Sequence, residues 1–500
     1  MKDQAKKSTG LLARICHGMA DVYGGGAFVI IGTFFTVFMT KSQGMSPILA
    51  GTIPLVGKIW DAVTDPIMGN ITDRTHSRFG AKRFYLLIGS LASALTFIGM
   101  WTTIAFSSPI AQYIYYILMY CLFSTGFTIV MVPYNALLPD MIEDYTMRSK
   151  FSGVRIICST FGAILAGLIP SIIIKDNTNP DLYLKVALIF GVIFLVVILI
   201  TFFGTWEKQK PVIKISIGQS FIQSFTVFRS RAFRIFVAIF IFGQGSADFL
   251  TGLAVYYVDD VLHAYGGGHF TYLMAVILLA QFVGTILFTP IMAKTSKRFP
   301  ILVGFPLRMV CTLAMLFFSY EGVNFIIILV LSFLIGLGMS ASSVSIFALL
   351  TDMADVDELI TTVNRPGICS GMATFIRKIG AGLVSALIGI LLTMVGYSGT
   401  LAGAGEMQSA ATQQGITMIY VFGPLVMMAV TLYYAKKFPM DKKEFDVIKR
   451  EIARRKGEDT STPTPEEIKV CENVTGMKFD ELWNKENAFQ LHTQKMKEEN

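Results

Sequence analysis

A chain of 500 residues that is 53% hydrophobic and only 15% charged, with a mean hydropathy of +0.59, is too apolar for a soluble domain, in which about 25% of residues are charged. Lys and Arg number 42 against 34 Asp and Glu, a net charge of +8. The basic residues gather in alternate loops and not in one patch, which excludes nucleic-acid binding as the reason for the excess. The six cysteines are scattered without a CxxC pair and read as free thiols.

Apolar runs of the roughly 20 residues needed to cross a bilayer fall at 13–39, 46–71, 84–106, 112–138, 151–174, 184–203, 235–258, 271–293, 300–319, 324–350, 371–395 and 416–434. The first run follows a basic start but holds Asp21 and lacks a small-residue cleavage site, so it reads as a span and not a signal peptide. Basic residues cluster before span 1 (Lys2, Lys6, Lys7, Arg14), after span 2 (Arg74, Arg78, Lys82, Arg83), after span 6 and after span 8, whereas the alternate loops hold only Lys41, Lys175 and Lys185. That bias predicts both termini in the cytoplasm. The expected fold is an all-α membrane protein of twelve transmembrane helices.

Span 2 carries the most informative stretch. Asp61 and Asp65 are four residues apart and share a helix face. Pro66 has no N–H and frees the carbonyl of Ala62. With the Thr64 hydroxyl, one helical turn offers hard oxygen ligands to a proton or a small cation. An ionised Asp at bilayer depth costs roughly 2.5–3.5 kcal/mol, which favours a functional pair. The competing structural reading is neutralisation by Lys58, three residues before Asp61.

Short motifs recur down the chain. Gly18-Met19-Ala20-Asp21 returns as Gly245-Ser246-Ala247-Asp248, an offset of 227, and Pro66-Ile67-Met68 returns as Pro290-Ile291-Met292, an offset of 224. Ala136 to Met141 returns as Ala348 to Met353, an offset of 212. Three matches in one order predict two six-helix pseudo-symmetric halves, 1–203 and 235–434, a major-facilitator arrangement with the substrate site between them. Residues 204–234 are expected to be a cytoplasmic connector, with an amphipathic interfacial stretch at 217–228. Residues 435–500 are expected to be a cytoplasmic tail with a short amphipathic helix at Phe445, Ile448 and Ile452 and a linker at 460–465. Gly24, Gly25 and Gly26 are expected to serve close helix packing.

WDAVTDPIMG at 60–69, DRTHSRFGAKR at 73–83 and DMADVDELITTVNRPG at 352–367 together resemble the glycoside-pentoside-hexuronide:cation symporter family. The resemblance implies a cation-coupled symporter of a sugar, glycoside, pentoside or hexuronide in a bacterial inner (plasma) membrane. It implies a monomer needing no cofactor beyond the coupling ion, H+ or Na+. It assigns the cation to Asp61 and Asp65, with Thr64 and Thr128 nearby, and these carboxylates would be metal ligands if the ion is Na+. The family's helix-4 aspartate position is Met131 here. For the sugar it points to Asp21, Arg155, Thr374 and Lys378, with Asn135 at a position the family fills with tryptophan. Asp248 joins them through the repeat. Arg377 and Lys378 are adjacent and point about 100° apart, so one of them, Lys378, is expected to face the cavity. Arg74, Arg78, Asp140 and Arg148 in the first half, and Asp352 and Arg365 in the second, are candidates for inter-half salt bridges that gate the cytoplasmic end. Solvated topology charges are the alternative.

Two rival classes remain. A carrier of lysolipid or another amphiphile on the same fold predicts a largely apolar cavity, and a non-transporting receptor needs no Asp61–Asp65 pair. An enzyme is not expected, because the five histidines form no HExxH or paired spacing.

Overall fold

A computed structural model describes residues 10–106, 108–142, 145–207, 224–264, 268–404 and 406–488, and all regular structure among them is helical. The long helices are α1 (Leu11–Phe35), α2 (Pro47–Arg74), α3 (Ala81–Met100), α4 (Pro109–Met141), α5 (Tyr145–Ile173), α6 (Pro180–Gly204), α7 (Arg231–Tyr256), α8 (His269–Lys294), α9 (Phe299–Phe318), α10 (Phe325–Thr361), α11 (Pro366–Met394) and α12 (Ala410–Lys437). Among the described residues eleven are long and apolar enough to cross a membrane. The twelfth, α2, is long enough at 28 residues, but Lys58, Asp61 and Asp65 interrupt its apolar run. The span that looks least like a span is therefore the one that carries the acidic pair.

Local sequence sets several of the starts. Proline opens α2, α4, α6 and α11, where its missing N–H costs nothing, and Asn179 caps α6 by accepting from the Asp181 N–H at 3.0 Å. One boundary departs from the apolar pattern. The run at 324–350 continues as helix to Thr361, so Asp352, Asp355, Asp357 and Glu358 lie on the last turns of α10 and not in a loop. These carboxylates are paired with Lys297, Lys449, Arg365 and Lys456, and that pairing sustains a helix its own hydropathy does not.

The first six helices bury one apolar core, whereas the second six bury two, one toward each end of the bundle. The core nearer the C-terminus takes in the tail. Helix α13 (Lys442–Lys456) inserts Ile448 and Ile452, and α14 (Pro465–Thr475) inserts Cys471 and Val474. The tail thus adds apolar contacts to a core it could not build alone, and Thr464 in the expected linker caps α14 through a reciprocal bond pair with Glu467. Residues 208–223, which hold most of the expected interfacial stretch, lie outside the described residues.

The halves meet at the end of the bundle remote from the tail. A Cβ on Gly389 of α11 would collide with the carbonyl of Pro47 on α2, and one on Gly51 would lie 2.5 Å from the Ser385 carbonyl. Beside this seam, Thr271 donates to the Ser171 carbonyl at 2.8 Å, joining α8 to α5. Toward the tail end, a Cβ on Gly153, Gly367 or Gly371 would meet nothing within 4 Å. The bundle is closed at the far end and open toward the tail. Within the first half the expected glycine packing is present: a Cβ on Gly25 of α1 would fall 2.6 Å from Ser159 Oγ on α5.

Candidate functional site: paired charges between the two halves

The i, i+4 spacing on α2 brings Asp61 and Asp65 to one face, and three side chains converge there. Lys378 Nζ of α11 lies 2.6 Å from Asp65 Oδ2 and 3.7 Å from Asp61 Oδ2. Lys58 Nζ lies 3.4 Å from Asp61 Oδ2 and sits over the Phe28 ring. Thr128 of α4 donates to Asp65 Oδ1 at 2.7 Å. Asp61 is fully buried and its Oδ1 has no hydrogen-bond partner, whereas Asp65 is 31% exposed. A buried carboxylate oxygen without a donor is a place where a proton or cation would be stabilised. Thr64 does not join the group, because its hydroxyl donates to the Trp60 carbonyl of its own helix at 3.1 Å.

The expected sugar residues divide between two places. Asp21 of α1 is ion-paired with Arg155 of α5, whose second nitrogen donates to Asn135 Oδ1 of α4 at 2.5 Å and whose guanidinium stacks over Tyr134. Lys378 belongs instead to the acidic pair on α2, across the seam between the halves. Thr374, one turn before it, is exposed and donates to the Ser370 carbonyl at 2.8 Å.

Arg377, passed over in favour of Lys378, also faces inward. It holds Asp248 of α7 through both terminal nitrogens, at 2.7 and 2.8 Å. The repeat could have found it. Asp21 and Asp248 are 227 residues apart, and Arg155 and Arg377 are 222 apart, so the same duplication carries both members of the pair.

The candidate gate residues pair inside their own halves. Asp140 meets Lys82, Asp352 meets Lys297 at 2.5 Å, and Arg365 holds Asp357 at 2.7 Å. Arg148 donates to the Ile142 carbonyl at 2.6 Å, and Arg74 and Arg78 are exposed. None of these pairs bridges the halves among the described residues, because this end of the bundle is open. Glu143, Asp144 and the Asp73 side chain lie outside those described. Besides Lys378 with Asp61 and Asp65, the ion pairs that join the halves are at the opposite end. There Lys41, after α1, lies 3.1 Å from Asp259 and 2.8 Å from Asp260, and Asn177 donates to Asp259 at 2.5 Å. A turn of π-helix at Phe38–Ser42 presents Lys41, and another at Tyr257–Val261 presents both aspartates.

The profile of the family described as MFS/sugar transport protein matches residues 16–442, most of the chain. The chain belongs to that family. The transporter is 26% identical to the symporter YnaJ of Bacillus subtilis, over 91% of this chain and 97% of that one. It is 28% identical to the isoprimeverose transporter of Lactiplantibacillus pentosus, over 86% and 89%. Among solved structures it is similar in fold to a bacterial homologue of the human lysosomal transporter Spinster in an inward-facing, unoccupied conformation, with a TM-score of 0.63, 14% identity, and coverage of 86% of this chain and 96% of that one. The protein is a transporter and not an enzyme. Ionisable groups on α2 and α11 meet between its halves, and each half carries its own arginine–aspartate pair, so the apolar cavity of an amphiphile carrier is not favoured.

Proposed function

We propose that the transporter couples entry of a proton or sodium ion to uptake of a sugar or glycoside by alternating access. Asp61 and Asp65 take the cation, while Asp21, Arg155 and Asn135 take the sugar from the first half and Asp248 from the second. The observation that carries this reading is Lys378. Its ammonium occupies Asp65 while Asp61 Oδ1 goes without a donor, so an internal cation stands where an arriving one would neutralise the pair. A cation at the pair releases Lys378 from Asp65 and loosens the tie between α2 and α11, which changes how the sugar site between the halves closes. Binding of each ligand then strengthens binding of the other, reciprocally.

The division into halves at 1–203 and 235–434, joined by a connector and followed by a tail, fits rocking of one half against the other about the loaded site. Both termini and the open end face the cytoplasm in this reading, supported by the basic residues of that end, and the membrane is a bacterial inner membrane. Lys41, Asp259 and Asp260 close the outer side. The test is uptake by the purified transporter in liposomes, with a panel of pentosides, hexuronides and glycosides offered under separate proton and sodium gradients. Accumulation of one class under one gradient supports the reading, and equilibration without accumulation under both sinks the coupling.

A further inference from the structure

Arg308 of α9 is fully buried inside the second half, and among the described residues no carboxylate forms an ion pair with it. Its guanidinium is bonded instead to Ser246 of α7, donating to the hydroxyl at 2.9 Å and to the backbone carbonyl at 2.8 Å, and its Nε has no partner. The Ser246 hydroxyl in turn donates to the Gly243 carbonyl at 2.7 Å, so one turn of α7 is held at two points from α9. Asp248 stands two residues further along and is ion-paired with Arg377 of α11. Arg377 and Asp248 are 25% and 32% exposed, and Arg308 not at all. The charge of Arg308 therefore acts on Asp248 from within the protein, whereas Arg377 reaches it from a place that a ligand also reaches.

The first half has no such arrangement. Lys82-Arg83 returns as Lys297-Arg298, an offset of 215, and the same offset carries Ser93 of α3 to Arg308. The two occupy matching places. A Cβ on Gly126 of α4 would lie 3.3 Å from the Ser93 Cα, and one on Gly338 of α10, 212 residues on, would lie 2.8 Å from the Arg308 Cβ. Ser246 likewise stands where the first half has Met19. Both ends of the Arg308–Ser246 contact thus belong to the second half alone, and a first half that packs with Met19 and Ser93 shows that packing asks for neither. An ionised guanidinium buried without a carboxylate is costly, and its charge reaches furthest where the dielectric is low.

We propose that Arg308 is a positioning residue for the second half's sugar site: it fixes the α7 turn that carries Asp248 and supplies a standing positive charge there, so that Arg377 is free to leave Asp248 for a sugar oxygen. This rests on the transport reading above. Without Arg308, withdrawal of Arg377 strands a partly buried carboxylate with no counter-charge, and Arg377 stays where it is. With Arg308 in place, Asp248 accepts from one sugar hydroxyl while Arg377 donates to its neighbour.

The test compares liposome uptake and detergent-solubilised Tm for the wild type, Arg308→Met, Arg308→Lys, Asp248→Asn and each Arg308 variant combined with Asp248→Asn. Methyl β-glucoside, methyl β-xyloside and methyl β-glucuronide are offered under proton and sodium gradients, and the probe that the wild type takes up fastest is used throughout. Arg308→Met removes an unpaired buried charge but keeps a long side chain, so its Tm is expected to hold or rise. Its KM is nevertheless expected to rise about tenfold, the scale of one charge-assisted hydrogen bond. Arg308→Lys keeps a cation without the two-point hold on Ser246, and its KM is expected to rise about threefold. In the Asp248→Asn background neither change is expected to move KM by more than about twofold, because the carboxylate that Arg308 serves is gone. A wild-type KM in Arg308→Met overturns the proposal. So does the same rise in KM with and without Asp248, read in the lysine variant if the methionine variant does not fold. A lower maximal rate and Tm at constant KM would make Arg308 a packing residue and end the proposal. If none of the three probes enters with the wild type under either gradient, the transport reading itself falls, and this proposal with it.

Discussion

Lys378 on α11 lies 2.6 Å from the Asp65 carboxylate on α2, an ion pair between one helix of each half. Asp65→Asn removes the charge that both Lys378 and an arriving cation require. Sugar exchange between the two sides of a vesicle needs no net coupling and is expected to persist, whereas accumulation driven by a cation gradient is expected to vanish. Counterflow and gradient-driven uptake in the same liposomes separate the two. Accumulation that survives in the variant would remove Asp65 from the coupling site.

Lys41 serves two carboxylates at once, and all three side chains are at most 8% exposed. Lys41→Gln strands both aspartates, and breaking a buried charge pair costs about 3–5 kcal/mol. The far end is expected to open, so that a cysteine placed at Asn135 becomes reactive to a membrane-impermeant maleimide added outside. Asp260→Asn leaves one carboxylate for one ammonium and is expected to keep that end shut. The same labelling rate for both variants would show that charge matching does not hold the seam.

The seam between α2 and α11 tolerates no side chain at Gly389, where a Cβ would strike the Pro47 carbonyl. Overpacking of this kind costs about 1–3 kcal/mol, and the cost falls only on the conformation in which the seam is closed. Gly389→Ala is therefore expected to cut steady-state uptake by about tenfold with little change in the detergent-solubilised Tm. A large fall in Tm together with uptake would mean that the glycine serves folding and not the transport cycle.

Most of the fold was legible because a bilayer demands long apolar runs, and even α2 could be found despite three charges in its middle. The final turns of α10 were not legible, since Lys297, Lys449 and Lys456 hold them from distant segments, with Arg365 closing on Asp357 from just past the helix end. The repeat placed Asp248 opposite Asp21, but helical angle alone suggested that Arg377 and Lys378 could not both face inward. Their long stems resolve the conflict, one reaching back to α7 and the other across to α2. The pair Lys41–Asp259 spans 218 residues between two loop-proximal turns, and no local pattern in either segment announces it.

Cys471 on α14 reports whether the tail stays docked. It is fully buried against the core formed with α7 and α10, and burial pushes its thiol up to about 12. The thiolate is the nucleophile, so at neutral pH both low thiolate content and poor access slow its reaction. In a variant whose only cysteine is Cys471, maleimide labelling is expected to be slow in the native transporter and complete after denaturation. Ile448→Asp places a charge where α13 inserts into the same core, and an unpaired buried charge is costly. Labelling in that background is expected to accelerate by about tenfold or more, and its pH dependence should move down toward that of an ordinary thiol near 8.5. Fast labelling of the unaltered tail would mean that α13 and α14 dissociate from the second half in the working transporter.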